Sequence, residues 1–140
     1  MQTFLPHPSF TLTASQLDYR RLGKQRVEAW QILKVLLGEK SGWSRHPAVL
    51  QWENHADWLC TYAIVVCDEW ISRGYNDSMR PRFCEAARTL PQTKWPAWLG
   101  RADYHASHRS NLLRKNHDFY SRHGWSEPAD LPYVWPVRAA

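Results

Sequence analysis

Apolar side chains recur at three- and four-residue steps from His55 to Arg73. Leu59, Tyr62, Ala63, Val66 and Trp70 share one face, and Ile64 and Val65 widen it. That period belongs to a helix buried along a stripe, whereas a half-buried strand would alternate. Gly74 follows as a C-terminal cap, then Tyr75-Asn76-Asp77. A helix this apolar needs others to cover it, and the rest of the chain supplies them. Thr13 to Leu37 is helical, with Val27, Trp30, Leu33 or Lys34, and Leu37 as its stripe, a break or bend near Leu22-Gly23 and a stop at Gly38. Pro47 opens a short helix over Val49 to Trp52, and Ser78 to Leu90 forms another behind an Asp77 or Ser78 cap. Ala102 to Lys115 and Asp118 to His123 complete the set. Residues 1–12, with Pro6 and Pro8, read as an arm. The tail from Glu127 carries Pro128, Pro132, Pro136, Tyr133 and Trp135. The expected fold is all-α: one compact helical bundle over residues 1–140, with an extended N-terminal arm and an extended aromatic, proline-rich tail.

Composition narrows what such a bundle does. A chain of 140 residues has room for a single domain, and 44% hydrophobic residues are enough to exclude wholesale disorder. No apolar run approaches the roughly 20 residues of a membrane span, and the first residues lack the layout of a signal peptide. Cys60, Cys67 and Cys84 are odd in number and form no CxxC pair, which argues against a disulfide framework and for a reducing cytoplasm. Lysine and arginine total 18 against 13 acidic residues, a net charge of +5 that suits a polyanionic partner. Nine tryptophans suit a core built quickly from large rings; some could instead stack on bases. The chain is expected to be monomeric.

Three constellations could carry chemistry. Arg21, Lys24 and Glu28 follow one helical stripe, flanked by Arg20, Gln25, Arg26 and Gln31. They form either a solvated face of ion pairs or a carboxylate held by cations at an anion-binding groove. Ser107-His108-Arg109-Ser110-Asn111 and Arg114-Lys115-Asn116 crowd donors suited to phosphate oxygens around Leu112 and Leu113, on what is otherwise a plain amphipathic helix. His105 and His108, with Asp103 near, make a weak metal pattern, so no metal or other cofactor is assigned. Cys60 and Cys67 share a face of the long helix and read as core.

The order of these segments resembles the pyrimidine-dimer DNA glycosylases of the endonuclease V type, in a bacterial branch rather than the phage members. Leu22-Gly23-Lys24-Gln25-Arg26-Val27-Glu28 is similar to the segment that holds that family's catalytic glutamate. Cys67 to Asn76 resembles its long helix ending in Arg-Gly-aromatic-Asn. Ser107 to Lys115, followed by Asp118-Phe119-Tyr120, resembles its basic helix and aromatic pair.

The resemblance implies a DNA-repair glycosylase with abasic-site lyase activity, acting on duplex DNA that carries a damaged or modified base. The nucleophile would be an N-terminal α-amine, here that of Met1, with Glu28 as the catalytic carboxylate. An α-amine has a reference pKa near 8, so roughly a tenth or more is a free base at neutral pH, far more than for lysine. Arg21, Lys24, Arg26, His108, Arg109, Arg114 and Lys115 would grip the DNA. Val27 separates Arg26 from Glu28, and each helical residue turns a side chain by about 100°. Two other readings stand beside this one: a non-catalytic nucleic-acid-binding module, and a metal-dependent nuclease on Asp103, His105 and His108.

Overall fold

The computed structural model describes residues 1–136; the last four residues of the tail expected above lie outside it. Among the described residues the chain is all-helical: α1 (Phe10–Gln16), α2 (Tyr19–Leu36), α3 (Pro47–Leu50), α4 (Ala56–Ser72), α5 (Arg80–Thr89), α6 (Ala102–Lys115) and α7 (His117–Tyr120). A 3-10 turn over Ser121–His123 follows. The helix read from His55 to Arg73 is α4, packed on α1, α2 and α5 at the centre of the molecule. Its buried face holds Leu59, Cys60, Tyr62, Ala63, Val66 and Cys67. Burial pushes the Cys60 thiol up to about 11 and the Cys67 thiol up to about 12, so both behave as apolar core atoms. From α2, Leu22, Ile32 and Leu33 meet this face fully buried, each contributing roughly 2 kcal/mol of hydrophobic stabilisation.

Two boundaries near the N-terminus differ from the sequence reading. The arm is shorter, because Phe10 and Leu12 already belong to α1, whose first turn is capped by the Ser9 hydroxyl accepting from the Leu12 amide. The break in the N-terminal helix falls at Leu17-Asp18, not at Leu22-Gly23. Gly23 continues α2 without interruption and serves packing instead. A Cβ there would lie 2.8 Å from Trp70 Cη2, so only glycine lets α2 approach the indole of α4.

The Arg73-Gly74-Tyr75-Asn76 segment also has a packing role. Arg73 donates to the Ala14 and Ser15 carbonyls and so caps the end of α1. Gly74, at φ +93°, turns the chain out of α4. Tyr75 stacks on Trp70 at 4.2 Å between ring centroids, and the Trp70 indole donates to the Asn76 carbonyl. Asp77 caps α5 by accepting from the Arg80 amide. Of the tryptophans, Trp52 and Trp98 are buried and Trp30, Trp58, Trp70 and Trp125 pack against the core. Trp43 and Trp95 stay half exposed. No described helix is long and apolar enough to cross a membrane.

Candidate active site

The arm crosses the bundle with its backbone bound to side chains at successive residues. The Gln2 amide donates to Glu28 Oε2 at 3.2 Å. Thr3 Oγ1 accepts from Gln51 Nε2 and from the Trp52 indole. The Phe4 amide donates to Gln25 Oε1 at 2.9 Å, while the Phe4 carbonyl lies 2.8 Å from the Tyr62 hydroxyl. Both backbone groups of Leu5 meet histidine rings, and the Pro6 carbonyl accepts from Arg109 at 2.8 Å. Gln25 and Glu28, three residues apart on α2, therefore seat the first residues of the chain against that helix.

A cleft of about 370 Å³ opens where the arm meets α2. Met1, Arg21, Lys24, Glu28 and Lys115 line it, bringing both expected catalytic residues together with three of the expected cations. Glu28 is the sheltered member, its side chain 12% exposed against 73% for Lys24, whose ammonium stands 3.8 Å away. Gln25 Nε2 adds a longer contact to the same carboxylate at 3.5 Å. Lys115 is held below the ordinary lysine range, first by partial burial and then by the neighbouring charges of Arg21, Arg114 and Lys24. Cations gathered this closely repel one another and gain from an anion placed among them.

The remaining expected DNA contacts divide. Arg114 is exposed near this cluster, bonded to Asn111 Oδ1. Arg109 is turned inward, paired with Glu127 and bonded to the Pro6 carbonyl, so it ties arm and tail together. Arg26 is spent on structure: it pairs with the fully buried Asp77 side chain and lies 4.5 Å over the Trp70 ring. The two helical steps from Arg26 to Glu28, about 200° of rotation, send Arg26 toward Asp77 and Glu28 toward the cleft. His108 is fully buried, and burial pushes its imidazole down to about 3, so its assignment to DNA is corrected. The residues of the metal-nuclease reading are engaged elsewhere. His105 and His108 engage Leu5, Asp103 pairs with Arg101 in solvent, and no described group of three such residues is arranged for a metal.

Sequence reasoning missed two parts of the cleft. Arg20, read only as a flanking residue, lines it, as does Tyr133 of the tail. Tyr133 is placed by tail contacts with α6: the Leu131 amide donates to Ser110 Oγ and the Val134 amide to Ser107 Oγ. Burial pushes its phenol up to about 12.

A family model described as pyrimidine dimer DNA glycosylase matches residues 1–81. The chain belongs to the pyrimidine dimer DNA glycosylase family. No curated protein and no solved structure matches it. The matched span runs from the arm through α4 and into α5. It contains Met1, Arg21, Lys24 and Glu28, whereas Lys115 and Tyr133 reach the cleft from outside it. For a pyrimidine dimer DNA glycosylase the cleft has the expected character: the substrate is damaged DNA, and the charge lining the opening is mainly positive.

Proposed function

We propose that this glycosylase also cleaves the abasic strand, through a Schiff base on the α-amine of Met1. The observation that carries the proposal is the hydrogen bond from the Gln2 amide to Glu28 Oε2. Only the Met1 carbonyl carbon and Cα separate that amide nitrogen from the α-amine, so the amine and the sheltered carboxylate share one corner of the cleft.

The chemistry follows from that pairing. The amine lone pair attacks C1′ of the damaged nucleotide, and the C1′–N bond breaks with its electrons leaving on the base. Glu28 accepts the proton released by the nitrogen and returns it to the sugar ring oxygen as the ring opens to an imine. It then removes a C2′ proton, and elimination expels the 3′ phosphate. Water hydrolyses the imine and frees the amine. As a carboxylate, Glu28 also stabilises the positive charge that develops on the sugar. Arg20, Arg21, Lys24 and Lys115 hold flanking phosphates, and the target nucleotide must leave the stack for C1′ to be reached.

The test is Glu28→Gln on a duplex with one pyrimidine dimer. Turnover should fall by about 10³-fold while binding stays within a few-fold, because general acid–base groups contribute about 10²–10⁴. Unchanged turnover would remove Glu28 from the mechanism. Binding lost as fully as turnover would make it a structural residue.

A further inference from the structure

His105 and His108 stand about one turn apart on α6, so both rings reach the same stretch of the arm. Together they take both backbone groups of Leu5. The Leu5 amide donates to His108 Nδ1 at 2.9 Å, and the Leu5 carbonyl lies 2.7 Å from His105 Nδ1. The other nitrogen of His105 accepts from the Gly100 amide at 2.9 Å, so this ring carries its proton on Nδ1 and donates it to Leu5. His108 must be the opposite tautomer, with Nδ1 bare and the proton on Nε2. Both rings are neutral and each has one usable orientation.

The His108 ring is an expensive way to fill this space. Its Nε2 is buried without a partner among the described residues, and the rings of Phe4, Tyr104 and Tyr133 surround the imidazole. A buried N–H with no acceptor destabilises a fold, and an apolar side chain would avoid that. What an apolar side chain cannot supply is the acceptor for the Leu5 amide.

We infer that His105 and His108 are positioning residues for the N-terminal amine, fixing the register of the arm and thereby the placement of the amine against Glu28. The inference rests on the amine mechanism proposed above. A slip of one residue along the arm would move the amine by roughly 3.5 Å, and a misplacement of about 1 Å costs about 10²-fold in rate. The clamp depends on both rings staying neutral. A second proton on His108 would face the Leu5 amide hydrogen, and one on His105 would face that of Gly100. The groups around His108 are Tyr104 and His105 of α6, Phe4 of the arm and Tyr133 of the tail. His105 is surrounded by Tyr104, Arg109 and, from the arm, His7. None of these is a carboxylate that would stabilise a charged ring.

The experiment compares the wild type with His108→Leu, which removes the acceptor, and His108→Asn, whose amide oxygen can replace Nδ1. Three quantities are read: single-turnover cleavage of a duplex with one pyrimidine dimer, the Kd for that duplex, and hydrogen exchange of the Phe4 and Leu5 amides. His108→Leu should slow cleavage about 10²-fold, leave Kd within about twofold and speed exchange, and His108→Asn should recover most of the rate. A folded His108→Leu protein that cleaves at the wild-type rate overturns the inference, as does one that loses binding in proportion to rate. Should that variant not fold, His108→Asn decides: a released arm with full activity overturns the role, and a held arm with activity supports it. Failure of the amine mechanism is distinguishable, because the wild type would then cleave with its covalent adduct elsewhere while the exchange data still reported on the arm.

Discussion

Arg21, Lys24 and Glu28 share a stripe of α2, yet the surface treats them differently: the two cations reach solvent and the carboxylate is sheltered. Arg21→Ala or Lys115→Ala should therefore weaken DNA binding and reduce its salt slope by about one ion each, measured by titration at several salt concentrations. Arg26→Ala should leave that slope unchanged and instead destabilise the fold by about 3 kcal/mol in denaturant melts, because the buried Asp77 carboxylate loses its cation. His108 contributes one part of the acid sensitivity. Its folded pKa lies below the unfolded value near 6.5, so above pH 6.5 it contributes no pH dependence. As pH falls from there toward about 3, the unfolded chain takes up a proton that the folded chain refuses. Stability then declines by as much as about 1.4 kcal/mol per pH unit from this residue. His108→Asn should flatten the acid limb of stability against pH by about one proton.

At the scale of elements, α2 and α4 carry the fold, and their contact is set by the absence of a side chain at Gly23. Alanine is the better helix former by about 1 kcal/mol, but its Cβ would enter the Trp70 ring. That indole is fixed by the Asn76 carbonyl, Tyr75 and Arg26, so it has little room to yield. Gly23→Ala should lower the Tm by several degrees, against the propensity scale. The same residue shows where sequence reading reached its limit. A glycine within a periodic segment signals a bend when only the local chain is considered. Here its reason lies 47 positions away at Trp70, where no local rule looks. By contrast α4 was legible nearly to the residue, because its apolar periodicity and the glycine that follows it act within one element, and α6 spans the residues expected of it. The N-terminal break was misplaced because Leu17-Asp18 carries neither glycine nor proline. Asp18 is instead held by Tyr120 from the far end of the chain.

Across the whole molecule the cleft is a product of both ends. Met1 and Glu28 come from the span shared with the family, while Lys115 and Tyr133 arrive from α6 and the tail. The resemblance points to Met1 and Glu28, and the spacing along α2 points to its cations, so these cleft residues could be named from the sequence. Tyr133 could not, since its place depends on tail contacts with Ser107 and Ser110, and the inward turn of His108 follows from burial that only the assembled fold decides. Four cations around one opening predict that the logarithm of the DNA association constant falls with that of salt at a slope of about −3 to −4. Borohydride trapping on a duplex with one abasic site, with and without EDTA, followed by mass mapping of the adduct, reads the nucleophile itself. An EDTA-insensitive adduct on the α-amine of Met1 is expected. An adduct on a lysine, or tight binding with no adduct, would overturn the role of the Met1 amine.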